Sequence, residues 1–143
     1  MKRSDIVAAA MATVRTPFMH QGRIAGLALD CVGLYVHVCG VLGLECIDTT
    51  GYARDPYDGT LERELDRQPC LERINPAEAK AGDLLAMRIS KAPQHIAIHA
   101  GFIGGEPYII HSSEEAGHVC HHRVDSTWRH RILMAYRFKG VEE

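Results

Sequence analysis

The chain has 143 residues, 46% of them hydrophobic and 24% charged, which is enough for one globular domain with a real core. A net charge of −2, with no basic stripe interleaved with aromatics, argues against a nucleic-acid binder. No apolar run is long enough to cross a bilayer as a helix.

Residues 4–15 read as a first helix, with Ser4 as its cap, Ile6, Val7, Ala10 and Val14 as its apolar stripe, and Pro17 as its stop. Asp5, and the lack of a small-residue cleavage context, argue against a signal peptide here. A glycine-bearing loop over 18–26 leads to Leu29-Asp30-Cys31-Val32-Gly33-Leu34 and an apolar run to Leu44. This stretch predicts a central, buried helix that starts at Cys31 and ends near Gly43. Asp30 is suited to cap it. A thiol in the first turn meets unpaired N–H groups and the positive end of the helix dipole, which favour the thiolate. Cys31 is therefore a candidate nucleophile, although a cysteine in an apolar run is more often a small buried hydrophobe.

Turn residues mark 48–59 as loop, and Thr60 is suited to cap a short helix over 61–67. A single helical turn at 75–78 and a turn at Ala81-Gly82-Asp83 lead into a strand over 84–89. From there the period becomes 2. Residues 94–102 alternate, with Ile96 and Ile98 on one face and His95, Ala97 and His99 on the other. Gly104-Gly105 turns the chain into a partner strand at Tyr108-Ile109-Ile110-His111, and a polar strand near an edge follows over 119–124. A short turn or helix at 127–130 precedes a last apolar strand over 132–138. Helices first and an antiparallel meander after them make the fold class α+β.

A helix-mounted cysteine beside strand histidines has the parts for attack on an acyl carbon. The imidazole takes the thiol proton, and a third polar group holds the ring. Periodicity leaves His95 and His99 as equal candidates for the base. His111, on the neighbouring strand, is placed to be the orienting group.

Several motifs in order carry a resemblance to a known family. They are the Cys31 segment, Ala81-Gly82-Asp83 before a strand, His95-Ile96-Ala97-Ile98 and Ile109-Ile110-His111-Ser112. Together they resemble the NlpC/P60 peptidases, a papain-like fold in which a nucleophile helix packs on an antiparallel sheet. The resemblance implies Cys31 as nucleophile, His95 as base and His111 as third residue. It also implies peptidoglycan stem peptides as substrate, cut between γ-D-glutamate and a diamino acid, with no cofactor. Gly22-Arg23, Tyr52-Ala53-Arg54-Asp55-Pro56 and the segment from Trp128 to Phe138 resemble the cell-wall peptidases of phage tail tips and gene transfer agents. That likeness implies tail proteins as partners, synthesis in the cytoplasm and action at the cell wall or periplasm. By position in the family, Tyr52 is expected to touch substrate; Asp30 could face a substrate ammonium as well as cap the helix.

Two rivals stand beside this reading. His118, Cys120 and His122 share one face of an alternating strand, with His121 and His111 close by, and such a set could hold structural zinc. Common structural zinc spacings are absent, so no metal is expected. The other rival is a non-catalytic tail-assembly protein. The five cysteines include no C-x-x-C pair, and Cys39, Cys46, Cys70 and Cys120 read as reduced core or incidental thiols.

Overall fold

The structure, a computed structural model, describes residues 1–49, 59–89 and 93–143. The elements in order are α1 (Arg3–Met11), β1 (Arg23–Ile24), β2 (Ala28–Leu29), α2 (Cys31–Leu42), α3 (Thr60–Arg67), β3 (Leu71–Ile74) and a 3-10 turn (Pro76–Glu78). Then come β4 (Leu84–Arg88), β5 (Pro93–Ile103), β6 (Glu106–Ser113), β7 (His118–Arg123), α4 (Ser126–Arg131) and β8 (Ile132–Phe138). Among the described residues, no helix is long and apolar enough to cross a membrane.

Six strands form one antiparallel sheet in the order β3-β8-β4-β5-β6-β7. Alternation along each strand sends side chains to opposite faces. On one face, Ile96, Ile98 and Ile110 pack under Leu34, Tyr35 and Val38 of α2 and Ile6 and Ala10 of α1. On the other, Leu85, Met87, Ala97 and Ile109 form a smaller core with Trp128 of α4 and Ile132. Helices on a mostly buried antiparallel sheet make this the expected α+β architecture.

Helix α2 begins and ends where its sequence dictates. Asp30 accepts from the Gly33 backbone N–H at 2.7 Å, and Gly43, at φ 69°, closes the other end in the left-handed conformation. Two other boundaries differ from expectation. Ser4 lies inside α1, where Asp5 closes the first turn by accepting the Lys2 backbone N–H at 2.8 Å, and the helix stops at Met11. Beyond Met11, Thr13 Oγ1 donates back to the Ala10 carbonyl and Arg15 takes φ 82°, which ends the helix before Pro17. Thr60 is likewise the first residue of α3, preceded by Gly59 at φ 79°. The β1–β2 hairpin and β3 carry two and four residues per strand, too few for a period to register in sequence.

Candidate active site

The start of α2 is held from three sides. Asp30 Oδ1 accepts from Gly33 N and from Arg23 Nη1 at 3.0 Å, while Oδ2 accepts from Gln21 N at 2.8 Å. A Cβ on Gly33 would collide with the Gly22 carbonyl, so glycine at 33 is what lets the hairpin close over the first helical turn. From the sheet, Ser112 Oγ donates to the Leu29 carbonyl at 2.6 Å and ties β6 to the residue before the cap. The Cys31 side chain, half-buried, is thereby fixed beside β5, where the Ile96 backbone N–H reaches its sulfur.

Strand β5 supplies both candidate histidines, and the structure separates them. His99 is 4% exposed, its Nδ1 accepts from Gly101 N at 3.0 Å across a bulge, and its ring packs on Phe102. His95 lines the same pocket as Cys31, as does His111. His95 Nε2 lies 2.7 Å from His111 Nδ1, and His111 Nε2 lies 2.8 Å from His122 Nε2. Trp128 packs edge-on to His111 and tilted on His122, with ring centroids 4.9 and 5.1 Å away. Arg131 stacks on the Trp128 ring at 4.5 Å.

With all three rings neutral, the bond at the far end sets the tautomer of each. A carbonyl oxygen only accepts, so His122 Nδ1, 2.8 Å from the Arg123 carbonyl, carries a hydrogen. Its Nε2 is then a bare acceptor, and His111 Nε2 must be the donor to it. His111 Nδ1 is bare in turn, so His95 donates from Nε2. The chain leaves His95 Nδ1 as a free lone pair in the pocket that Cys31 lines, the tautomer a general base needs.

The electrostatics depart from the helix-dipole expectation. Burial pushes the Cys31 thiol up to about 12, and the neighbouring Asp30 carboxylate adds to the rise. Backbone N–H groups of Ile96, Val32 and Cys31 itself pull the other way and lose. Desolvation outweighs the first-turn donors here, and the cap that builds the helix start adds to it by bringing a negative charge beside the sulfur. Burial lowers His95 to about 4, helped by Arg131 and opposed by Asp30. His111 falls to about 2, from burial and the positive charge that His95, His122 and Arg131 would present. The resting pair is a neutral thiol and a neutral imidazole.

The pocket around these groups has a volume of about 390 Å³ and is lined mainly by apolar surface. That is the size of a small-ligand or short-peptide cleft. Asp30 lines it, but three protein N–H groups occupy its oxygens, which is the capping role. Tyr52 lies outside the described residues. The zinc rival is rearranged. Cys120 and His122 do share a face, but the third member is His111 across the strand pair, because His111 stands opposite Cys120. His118 bonds its neighbour's carbonyl through Nδ1 instead. Sequence reasoning passed over His122, Trp128 and Arg131 as supports of His111. Only the β6–β7 register, which is a pairing between strands, would have exposed His122.

The NlpC/P60 family profile matches residues 15–137. The fold is similar to that of the NlpC/p60 domain of the peptidoglycan hydrolase SagA, at 24% identity and TM-score 0.63, covering 94% of this chain and 97% of that one. It is similar to an NlpC/P60 family protein from Bacillus cereus at 18% identity and TM-score 0.70, covering 96% of this chain and 40% of that one. It is also similar to NlpC2 from Trichomonas vaginalis at 13% identity and TM-score 0.67, covering 96% of this chain and 46% of that one. The chain thus spans nearly all of one solved neighbour and less than half of the other two. No curated protein matches it.

Proposed function

We propose, from the premise that this chain belongs to the NlpC/P60 family, that it is a cysteine peptidase hydrolysing the stem peptides of peptidoglycan. The observation that carries the reading is the hydrogen-bonded His122–His111–His95 row, which ends at His95 in the pocket that Cys31 lines. Cys31 Sγ attacks the scissile carbonyl carbon while its proton passes to His95 Nδ1. The backbone N–H groups of Cys31, Val32 and Ile96 around the sulfur are suited to stabilise the oxyanion. The imidazolium then protonates the leaving amine, which departs and leaves a thioester on Cys31. Water gives a proton to His95 and its oxygen to the acyl carbon, and the proton returns to the sulfur as the acid leaves. His111 is a positioning residue that keeps His95 in the reactive tautomer.

The finer assignments rest on the sequence resemblance. The scissile bond is the one between γ-D-glutamate and a diamino acid, and Tyr52 contributes to the substrate pocket. The enzyme works at the cell wall as part of a phage-like tail or gene transfer agent particle, which also supplies its route there.

The test is digestion of purified peptidoglycan with wild-type protein and Cys31→Ala, followed by mass analysis of the products. New stem-peptide termini with wild type alone are expected. Equal release by both proteins removes the mechanism, and unchanged muropeptides with both favour a non-catalytic tail protein.

A further inference from the structure

Behind the proposed triad, His111 and His122 meet a thiol that the peptidase reading leaves unused, that of Cys120. Ligand atoms of His111, Cys120 and His122 all lie within 4.8 Å of one another. Cys120 Sγ is 3.5 Å from His111 Nε2, and the two imidazole Nε2 atoms are 2.8 Å apart. Two imidazole nitrogens and one sulfur form the donor set of a zinc-type ion. We propose that these three residues bind a single Zn²⁺ or similar borderline-soft divalent cation, and that the bound ion switches the peptidase off.

The supporting shell is already that of a metal site. A ligating histidine usually donates its other ring N–H to a carbonyl or carboxylate, which fixes the tautomer and aims the lone pair. His122 does this through Nδ1–H to the Arg123 carbonyl at 2.8 Å. The Cys120 to His111 separation matches the spacing of a sulfur and a nitrogen on one tetrahedral zinc, about 3.5 Å. The two rings are closer than that ion allows and must part to about 3.3 Å. What holds them together without metal is one hydrogen, on His111 Nε2. Arg131, stacked on Trp128 beside the cluster, opposes a cation and makes its hold reversible.

The switch rests on the peptidase reading above and follows from the place of His111. Binding releases the Cys120 S–H proton to solvent, and the His111 ring hydrogen passes from Nε2 to Nδ1 so that Nε2 can hold the ion. With a hydrogen on Nδ1, His111 can no longer accept from His95 Nε2, 2.7 Å away. Seating the ion also parts the His111 and His122 rings from their 2.8 Å contact. The bond that positions His95 is lost, and the ion stops catalysis without touching Cys31 or His95.

Cobalt(II) titration of Cys31→Ala tests the site, since its reactive thiol is gone. One equivalent with a thiolate-to-cobalt charge-transfer band, displaced by zinc, is expected. The band must vanish in Cys31→Ala/Cys120→Ala; its persistence there, or its absence in Cys31→Ala, overturns the site. Peptidoglycan digestion in zinc buffers tests the switch. Cys120→Ser, checked for native circular dichroism, should retain activity in chelator and need about tenfold more free zinc for half-inhibition. Equal zinc sensitivity of wild type and Cys120→Ser overturns the switch. An inactive wild type in chelator removes the peptidase reading and the switch with it, while the cobalt titration still decides the metal site.

Discussion

At the scale of single residues, Cys31 and His95 line one pocket, and both are uncharged. Burial raises one to about 12 and lowers the other to about 4. An ion pair poised before substrate arrives is therefore not the resting state, and proton transfer accompanies attack on the carbonyl. The pH dependence follows. His95 must be neutral to act as base, so activity rises as pH passes upward through its depressed pKa. The acid limb of kcat/KM, measured in chelator, is expected well below the ordinary histidine value of 6.5 and near 4. With Cys31 held so high, no alkaline rise from thiolate formation is expected below pH 9, a bound of about three units under its pKa. A limb centred at or above 6.5 would contradict the neutral pair. Sequence offered the residue types but not these charges: the helix-start argument predicts a lowered thiol, and the depth of burial that reverses it is a tertiary property.

At the scale of elements, the site depends on how the entry to α2 is clamped. Gly33 matters through what it lacks, since any side chain there meets the Gly22 carbonyl. Gly33→Ala is expected to cost about 1–3 kcal/mol in urea denaturation, the range for overpacking. It should also lower kcat by about 100-fold, because the sulfur shifts with the first turn. Gly40→Ala in the same helix meets nothing within 4 Å. It should instead stabilise the protein by about 0.5–1 kcal/mol with kcat unchanged. If both substitutions behave alike, the clamp is not what positions Cys31. Much of this element was legible in sequence. Asp30, Cys31 and the Gly43 stop fix α2 by local rules, because a cap needs only its own neighbours. The parts that aim the helix, Arg23 onto Asp30 and Ser112 onto Leu29, join elements far apart in sequence, and no local pattern announces them.

At the scale of the whole molecule, Asp83 fastens three segments together. Its side chain, about 1% exposed, accepts from Arg3 at 3.0 Å and from Arg137 at 3.0 and 2.9 Å. The sequence presents Asp83 only as a turn residue, but the fold makes it the counter-charge for the first helix and the last strand. Asp83→Ala removes the buried counter-charge of two partly buried guanidinium groups, leaving them the exposed Glu143, and is expected to cost about 3 kcal/mol in chemical denaturation. Its carboxyl is held below the usual 3.8 by Arg137, the Lys80 backbone N–H and Arg3, against the opposing cost of burial. This stability is present above pH 3.8 and lost as pH falls through the lowered value. His99, lowered from 6.5 by burial, acts at a higher pH. Its contribution is complete above 6.5 and declines as pH falls toward its folded value. His95 and His111, both lowered by burial, add to this loss, so acid denaturation should begin with a marked loss below 6.5 led by the three histidines and continue below 3.8 as Asp83 protonates. The α+β class and the main strands were readable from period and turns. The order of strands was not, because nothing local says that β8 inserts between β3 and β4.

That insertion governs when the protein can come into being on the ribosome. The final strand of the chain is the seam of the sheet, so until it emerges, β3 has no hydrogen-bonded neighbour and β4 lacks one of its two. Such distant pairings close late in folding. A nascent chain stalled before Ile132 also lacks Ile132 and Ala135, the last strand's share of the small core beneath Trp128. The packing behind the histidine row is therefore completed only when that strand joins the sheet.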